Sequence, residues 1–94
     1  MIFAQVHNYH EKAIFRLVAD RAARYPELAR RPELLADVAC VALNRIAPRY
    51  IRSDVDMAFY MIDPEFVRQQ AAMKKAVDFA FNFVNSRTEL ASRY

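Results

Sequence analysis

The feature that most constrains the fold is a segment in the middle of the chain that is apolar on almost every side of a helix. Residues 37–46 read Asp-Val-Ala-Cys-Val-Ala-Leu-Asn-Arg-Ile, and only Asp37, Asn44 and Arg45 are strongly polar. A helix with so wide an apolar surface is normally buried on most of its circumference. We therefore expect a central helix over residues 32–46, with the rest of the chain packed around it.

Proline residues indicate where this helix begins and ends. Pro32 followed by Glu33 is typical of a first helical turn, where proline loses no hydrogen bond and an acid complements the helix dipole. Pro48 cannot continue the helix, and it disfavours the helical conformation at Ala47. A dense polar group follows at once: Arg49, Tyr50, Arg52, Ser53 and Asp54. The sequence thus predicts a buried helix that ends in a basic, aromatic loop.

Two further helices flank the central one. Asn8 and Glu11 have the spacing of a capping box, which predicts a first helix from Asn8 that Pro26 ends. Asp63 and Pro64 combine an N-cap residue with a proline at the first helical position, which predicts a last helix over residues 64–85. We expect one domain over residues 1–94, with a core at 7–85, a short connection at 26–31 and a frayed polar tail at 86–94.

The segment 48–62 is less determined by its sequence. Its β-branched and aromatic residues alternate only in part, so an extended segment, a short strand pair and a helical turn after Ser53 or Asp54 are all compatible with it. We expect an extended or irregular segment here, and favour a mostly extended one. The fold class that follows is all-α or mostly α, with three to four helices in a small domain.

Composition favours a homodimer. Hydrophobic residues make up 55% of a chain of only 94 residues, and a domain of this size has little interior in which to bury them. A heptad-like apolar stripe on the last helix is expected to face the core; its members are Phe66, Met73, Val77, Ala80 and Val84. A second apolar stripe lies beside it, formed by Ala72, Ala76, Phe79 and Phe83. We therefore expect two copies to meet through this helix and the segment 48–62.

Composition also excludes several classes of function. The chain has no glycine, which excludes a Walker-type phosphate loop and a dinucleotide-binding glycine fingerprint. The net charge of +3 suits an anionic small ligand but is too small for a protein that coats nucleic acid. The chain has a single cysteine, and it shows no secretory signal pattern and no apolar run long enough to span a membrane. We therefore expect a cytoplasmic protein without a membrane partner.

A catalytic site is not expected. His7 and His10 could hold a metal weakly with Glu11, but histidines at the start of a helix explain them more simply. Cys40 lies in the middle of the apolar helix, where we expect it to be buried and its thiolate disfavoured. We accordingly expect neither an enzyme nor a cofactor.

The acidic residues could suggest a magnesium site, but they have simpler explanations. Asp63 is accounted for as a helix N-cap. Asp54 and Asp56 are expected to pair with Arg49 and Arg52 or to cap a turn. We therefore expect no metal.

The chain resembles the late-competence-development protein ComFB family at three places. These are Asn8-Tyr-His-Glu-Lys12, Asp37-Val-Ala-Cys-Val-Ala-Leu-Asn-Arg-Ile-Ala-Pro-Arg-Tyr50 and Ser53-Asp-Val-Asp-Met57. The resemblance covers residues 7–85 and implies a small helical dimer with a regulatory or adaptor role in the bacterial cytoplasm. Some members of the family bind cyclic dinucleotide second messengers, and some carry zinc on cysteines just before the core motif.

This sequence departs from the family pattern at two points. The zinc-binding cysteines are missing, since Cys40 lies inside the predicted central helix, so the zinc site is not carried over. Ala47 replaces the first proline of the pair that ends the core motif. The competence role belongs to a few members and is not carried over either.

The segment 44–54 has the side chains that a cyclic dinucleotide needs. Guanidinium groups can bind its phosphates or the guanine edge, an aromatic ring can stack on a base, and a carboxylate can accept from guanine. The candidate ligand-binding residues are Asn44, Arg45, Arg49, Tyr50, Arg52, Ser53 and Asp54. A two-fold symmetric ligand would also suit the interface of a homodimer.

A structural explanation of the same residues stays open, and the residues alone favour it. Asn44 would cap the central helix, Tyr50 would pack, and the arginines would pair with Asp37, Asp54 and Asp56. The leading functional prediction is a small regulatory binding protein that senses a cyclic dinucleotide. The alternative is a protein-binding adaptor without a small ligand, in which the same loop contacts another protein.

Overall fold

The computed structural model describes residues 2–53, 55, 56, 59 and 61–92 of the chain, and four α-helices, one 3-10 turn and a two-stranded sheet have defined bounds in this part. The elements in chain order are β1 (His7–Asn8), α1 (His10–Arg21), a 3-10 turn (Ala22–Arg24), α2 (Pro26–Ala29), α3 (Pro32–Leu43), β2 (Tyr50–Ile51) and α4 (Pro64–Ser92). The predicted mostly-α fold with three to four helices is confirmed. Within the described ranges, no helix has both the length and the apolar character needed to cross a membrane.

Helix α3 is the central element, as its sequence predicts. It packs against α1, α2 and α4, and its side chains Leu34, Val38, Ala39 and Ala42 are buried. The helix ends at Leu43, three residues before the predicted end, and Asn44 is its C-cap residue.

The expectation that α3 is buried on most of its circumference, Cys40 included, is wrong. Cys40 is exposed, because α1 and α3 leave an open apolar groove between them on the side away from α4. The groove has a volume of about 540 Å³, and Phe15, Leu35, Cys40 and Leu43 are among its lining residues. The apolar side chains of α3 therefore lie partly in the core and partly on an open surface.

The core lies between α3 and the middle of α4. Met73, Val77, Phe81 and Val84 have no exposed surface, and the Phe81 ring stacks on Tyr25 with the ring centroids 4.5 Å apart. The predicted stripe of the last helix is therefore its buried face.

Helix starts follow the proline signals. Pro32 and Pro64 are the first residues of α3 and α4, and the Asp63 carboxylate accepts a hydrogen bond from the backbone N–H of Glu65 at 2.9 Å. The start of α1 differs from the prediction: the helix begins at His10, and its N-cap residue Tyr9 makes no side-chain cap. Asn8 is in a strand, because its backbone pairs with a segment far along the chain.

Helix α4 is longer than predicted. It continues through residues 86–92, which were expected to belong to a frayed tail. These residues contain no proline or glycine, and Arg87 is held by an ion pair with Asp37 of α3 at 3.1 Å. Residues 93 and 94 lie outside the described part of the chain.

The segment 48–62 is extended only at its start. Tyr50–Ile51 pairs antiparallel with His7–Asn8, in the register His7 to Ile51 and Asn8 to Tyr50. Residues 56 and 59 are helical, so the prediction of a mostly extended segment is wrong there.

Candidate ligand-binding site

The candidate site is a loop that the start of the chain holds in place. We call residues 47–53 the basic loop. The backbone N–H of Tyr9 donates to the carbonyl of Arg49 at 2.7 Å, and the backbone N–H of Arg49 donates to Asn8 Oδ1 at 2.9 Å. His10 Nδ1 lies 3.2 Å from the carbonyl oxygen of Ala47. Together with the strand pair, these bonds fix the backbone of the loop against the first turn of α1.

Asn8 is the residue on which this arrangement depends. Its Oδ1 atom accepts two hydrogen bonds, one from the backbone N–H of Arg49 and one from the backbone N–H of His10 at 3.1 Å. The amide thus joins the basic loop to the beginning of α1. The spacing of Asn8 and Glu11 predicts only a helix cap, so the hydrogen bond from the distant Arg49 could not be predicted from it.

The strand geometry of β2 decides which side chains point outward. Side chains in a strand alternate between its two faces, and Ile51 is buried against Tyr9 and Phe66. Its neighbours Tyr50 and Arg52 are exposed, and Tyr50 keeps 65% of its surface accessible. One buried anchor therefore places an aromatic ring and a guanidinium group at the surface.

Arg52 lies at the edge of a shallow cavity of about 620 Å³ between the basic loop and the first turns of α1. His7, Asn8, Glu11 and Lys12 also line this cavity. Lys12 was not among the residues singled out from the sequence. It comes to the site because it lies in the first turn of α1, directly after the strand that pairs with the basic loop. The cavity brings together two cationic side chains, Lys12 and Arg52, and one acidic residue.

Arg45 lies in another part of the molecule. Its guanidinium group is 3.7 Å from the centre of the Phe79 ring on α4, and it lines a smaller cavity of about 190 Å³ with Ala72, Lys75 and Ala76. Because α3 ends at Leu43, the chain turns at Asn44 and Arg45, and the Arg45 side chain lies against α4. The structure therefore places Arg45 and Arg52 on the edges of two different cavities.

The remaining predicted residues have local roles. Asn44 ends α3, and its backbone N–H bonds to the carbonyls of Cys40 and Ala42. The Ser53 hydroxyl accepts a hydrogen bond from the backbone N–H of Val55 at 3.3 Å, and the Ser53 carbonyl accepts one from Asp56 at 3.0 Å. Asp54, the predicted acceptor for guanine, lies outside the described residues.

His10 is a buried histidine beneath the basic loop, with 1% of its surface exposed. Burial lowers the pKa of His10 below its usual 6.5; the hydrogen bond to the Ala47 carbonyl opposes this change, and the positive charge of Arg49 adds to it. Since a carbonyl can only accept, Nδ1 carries the proton in the neutral ring. His10 thus supports the loop as a neutral hydrogen-bond donor.

The structure also bears on the weak metal site considered at His7, His10 and Glu11. Among the described residues, no three His, Cys, Asp or Glu side chains lie close enough together to hold a metal ion. Asp37, which the structural explanation paired with the loop arginines, is paired with Arg87 instead.

Comparison with known proteins identifies the family. The family model described as late competence development protein ComFB matches residues 7–88, which covers every element from β1 into the last turns of α4. Neither the curated proteins nor the solved structures gave a match to this chain. The matched range contains the basic loop and the strand pair that holds it. Because the match spans most of the sequence, the chain belongs to the ComFB family.

Proposed function

We propose that this protein is a regulatory binding protein whose basic loop binds a cyclic dinucleotide, such as cyclic di-GMP or cyclic di-AMP. The observation that carries the proposal is the fixed display of Arg49, Tyr50 and Arg52 on a loop bonded to the start of α1. A site whose backbone is already ordered loses less conformational entropy when a ligand binds.

The exposed side chains match the chemistry of this ligand class. Guanidinium groups form paired, charge-assisted hydrogen bonds with phosphate oxygens. A tyrosine ring offers a flat surface on which a base can stack, and Tyr50 is 65% exposed. The cavity beside Arg52 and Lys12, of about 620 Å³, gives a phosphate or a base edge a place next to two cations.

We further propose that the working form is a cytoplasmic homodimer. A cyclic dinucleotide has two equivalent halves, and a two-fold symmetric pair of basic loops would give each half the same contacts. Exposed aromatic rings on α4 support a partner for that helix, since Phe79 and Phe83 keep 40% and 46% of their surface accessible.

Paired variants test the role of the loop. Replacing Arg49 and Arg52 together by alanine should abolish binding of a fluorescent cyclic di-GMP while the circular dichroism spectrum stays unchanged. Arg30 and Arg31 are the matched control, because they are exposed arginines paired with Glu27 and Glu33 near the opposite end of α3. Equal loss of binding in both double variants would show a general charge effect and contradict the proposed site.

The alternative function is a protein-binding adaptor without a small ligand. The open groove between α1 and α3 favours it, because Glu11 is the one charged residue among the described residues that line the groove and Phe15 in it is 51% exposed. An exposed apolar surface of this kind is typical of a protein-binding site. Under this alternative, the loop variants would leave every nucleotide titration unchanged and would affect only the binding of a protein partner.

A further inference from the structure

The apolar groove between α1 and α3 has the length of a short helix-binding site. The two helices run antiparallel, because the residues that follow α3 bond to the start of α1. The groove extends from Glu11 to Ala19 along α1 and from Leu35 to Leu43 along α3. The two residues of each pair are eight positions apart, which is about 12 Å at 1.5 Å per residue. A helix lying in the groove would therefore bury slightly more than two of its turns.

The shape of the groove is concave. Of the residues that line it, Val18 and Ala39 are buried, while Phe15 and Cys40 are exposed on α1 and α3. Ala36 also lines it, and its short side chain lets a second backbone approach closely. Apolar grooves of this kind bind the apolar face of an amphipathic helix. A flat membrane surface would not fill such a groove.

Cationic side chains lie along one edge of the groove. Lys12 and Arg16 are exposed residues of α1 one helical turn apart, so they lie on the same side of that helix. The cavity lined by Lys12 and Arg52 meets the groove, because Phe15 lines both. We call Lys12, Arg16 and Arg52 the cationic rim. Within the described ranges, none of the three is in an ion pair with a carboxylate.

Two acids of α1 limit the cationic rim. Glu11 lines the groove next to Lys12, and Asp20 follows Arg16 by one helical turn. Three cations thus outnumber one acid at the end of the groove near the basic loop, and the charge changes sign towards Asp20. A partner of complementary charge carries its acids at the end near the basic loop.

We propose that the groove between α1 and α3 binds an amphipathic helix of another protein, with its apolar face between Phe15 and Cys40 and its acidic residues beside the cationic rim. Carboxylates form charge-assisted hydrogen bonds with guanidinium and ammonium groups. The inference names the kind of partner that the adaptor alternative leaves open. It goes beyond the nucleotide proposal, because the helix requires no bound nucleotide.

A second copy of this chain does not offer the required charge on its exposed aromatic rings. The guanidinium group of Arg45 is 3.7 Å from the centre of the Phe79 ring, and that of Arg87 is 5.8 Å from the centre of the Phe83 ring. Docking these rings in the groove would bring cations to the cationic rim. The charges therefore favour a different, acidic partner.

The experiment selects binders from a phage-displayed library of helical peptides of about 18 residues, a length at which an isolated helix can form. Apolar residues are fixed at positions i, i+4 and i+7, and the flanking positions are free to be acidic, basic or neutral. The target is the full chain, and Phe15→Glu serves for counter-selection after circular dichroism has shown that it is folded. The enriched peptides should carry acids at one end of their apolar face.

An enriched peptide is then synthesised, and its affinity is measured by fluorescence anisotropy. Phe15→Glu should weaken binding about tenfold or more, since a carboxylate would face the apolar side of the peptide. Leu90→Glu is the matched control, because Leu90 is 53% exposed and lies on α4; it should leave the affinity unchanged. In the unmodified chain, the peptide should slow the reaction of Cys40, the sole cysteine, with a thiol reagent.

Charge reversal tests the cationic rim. The double variant Lys12→Glu, Arg16→Glu should lose the acidic peptide and bind a version in which lysines replace the acids. The double variant Lys74→Glu, Lys75→Glu makes the same change in net charge at exposed positions of α4 and should keep the acidic peptide.

Four results would overturn the inference. Enrichment of peptides with basic or neutral flanks would contradict the acidic partner, and a library without binders would contradict a helix site. Binding that spares Cys40 or survives Phe15→Glu would place the site elsewhere. Protection of Cys40 by phosphatidylglycerol vesicles, and not by peptides, would assign the groove to a membrane surface. Cyclic di-GMP binding by the unmodified chain is measured separately, so a failure of the nucleotide proposal does not imitate a failure of the groove.

Discussion

Asn8 Oδ1 lies 2.9 Å from the backbone nitrogen of Arg49 and accepts its hydrogen bond across 41 residues of sequence. The same oxygen accepts from the backbone of His10, so one amide orders both the first turn of α1 and the basic loop. This relationship links the stability of the fold to the display of the candidate site.

Replacing Asn8 by alanine should destabilise the protein and weaken nucleotide binding together. Two backbone donors lose their acceptor, which typically costs about 1–3 kcal/mol of the free energy of unfolding. Urea unfolding followed by circular dichroism measures this loss. Asn8→Asp is the matched control, because its carboxylate keeps an acceptor at the same place and should retain most of the stability. Equal destabilisation by both variants would contradict the proposed role of Oδ1.

The burial of His10 predicts that stability falls in mildly acidic solution. Its folded-state pKa is lower than the usual 6.5, so the unfolded chain binds more protons once the pH falls below about 6.5. The free energy of unfolding should therefore decrease from pH 7.5 to pH 5.5.

His10→Asn separates this effect from the titration of acids. Its amide can still donate to Ala47 but does not titrate, so its stability should change little over the same pH range. Glu33 and Glu65, whose hydrogen bonds lower their pKa below 4.5, lose their contribution only at lower pH. An unchanged pH dependence in His10→Asn would assign the effect to another group.

A charge among the exposed aromatic rings of α4, Phe79 and Phe83, should separate the proposed homodimer without unfolding the monomer. Phe83 is 46% exposed, so Phe83→Glu places a carboxylate at the surface of one chain but inside the proposed interface. Light scattering should report half the molecular mass of the unmodified protein. Val67→Glu is the control, since Val67 is an exposed apolar residue of the same helix, more than three turns before Phe79. A folded dimer that tolerates Phe83→Glu would contradict the interface.

The two kinds of phenylalanine should respond differently to truncation. Phe81 has no exposed surface and stacks on Tyr25, so Phe81→Ala should cost about 3–5 kcal/mol of the free energy of unfolding. Phe15, at 51% exposure on the groove, should lose much less when it becomes alanine. Thermal or urea unfolding of both variants makes the comparison. Similar losses in the free energy of unfolding would show that Phe15 is covered by a binding partner in the groove.

The starts of α3 and α4 could be predicted because their signals are local. Pro32 and the pair Asp63–Pro64 act through the first turn of the helix that they begin, and the structure places α3 and α4 at these residues. The buried stripe of α4 was likewise predictable, since it depends only on the helical period. These features require no knowledge of distant parts of the chain.

The site could be predicted only in part, because its geometry depends on long-range contacts. Asn8 has the spacing of a helix cap, and nothing near it in the sequence indicates its bond to Arg49. Arg45 and Arg52 are seven residues apart in sequence, yet the early end of α3 at Leu43 places them beside different cavities. The strand pair that fixes the loop has two residues on each side, too few for an alternating pattern.

The extent of α4 and the exposure of Cys40 were missed for another reason. A polar composition at residues 86–92 favours fraying, but these residues contain no proline or glycine that would end the helix, and Arg87 pairs with Asp37 of α3. Cys40 lies among apolar residues, and such a sequence does not distinguish a core from an open groove. Both the length of α4 and the exposure of Cys40 depend on which other elements pack beside them.

Isothermal titration calorimetry of the purified protein with cyclic di-GMP and with cyclic di-AMP tests the central claim most directly. The account predicts saturable binding of at least one of the two, at one ligand per two chains, with the binding lost when Arg49 and Arg52 are both alanine. No heat with either nucleotide, from a protein shown to be folded by circular dichroism, would contradict the proposed receptor and favour the adaptor.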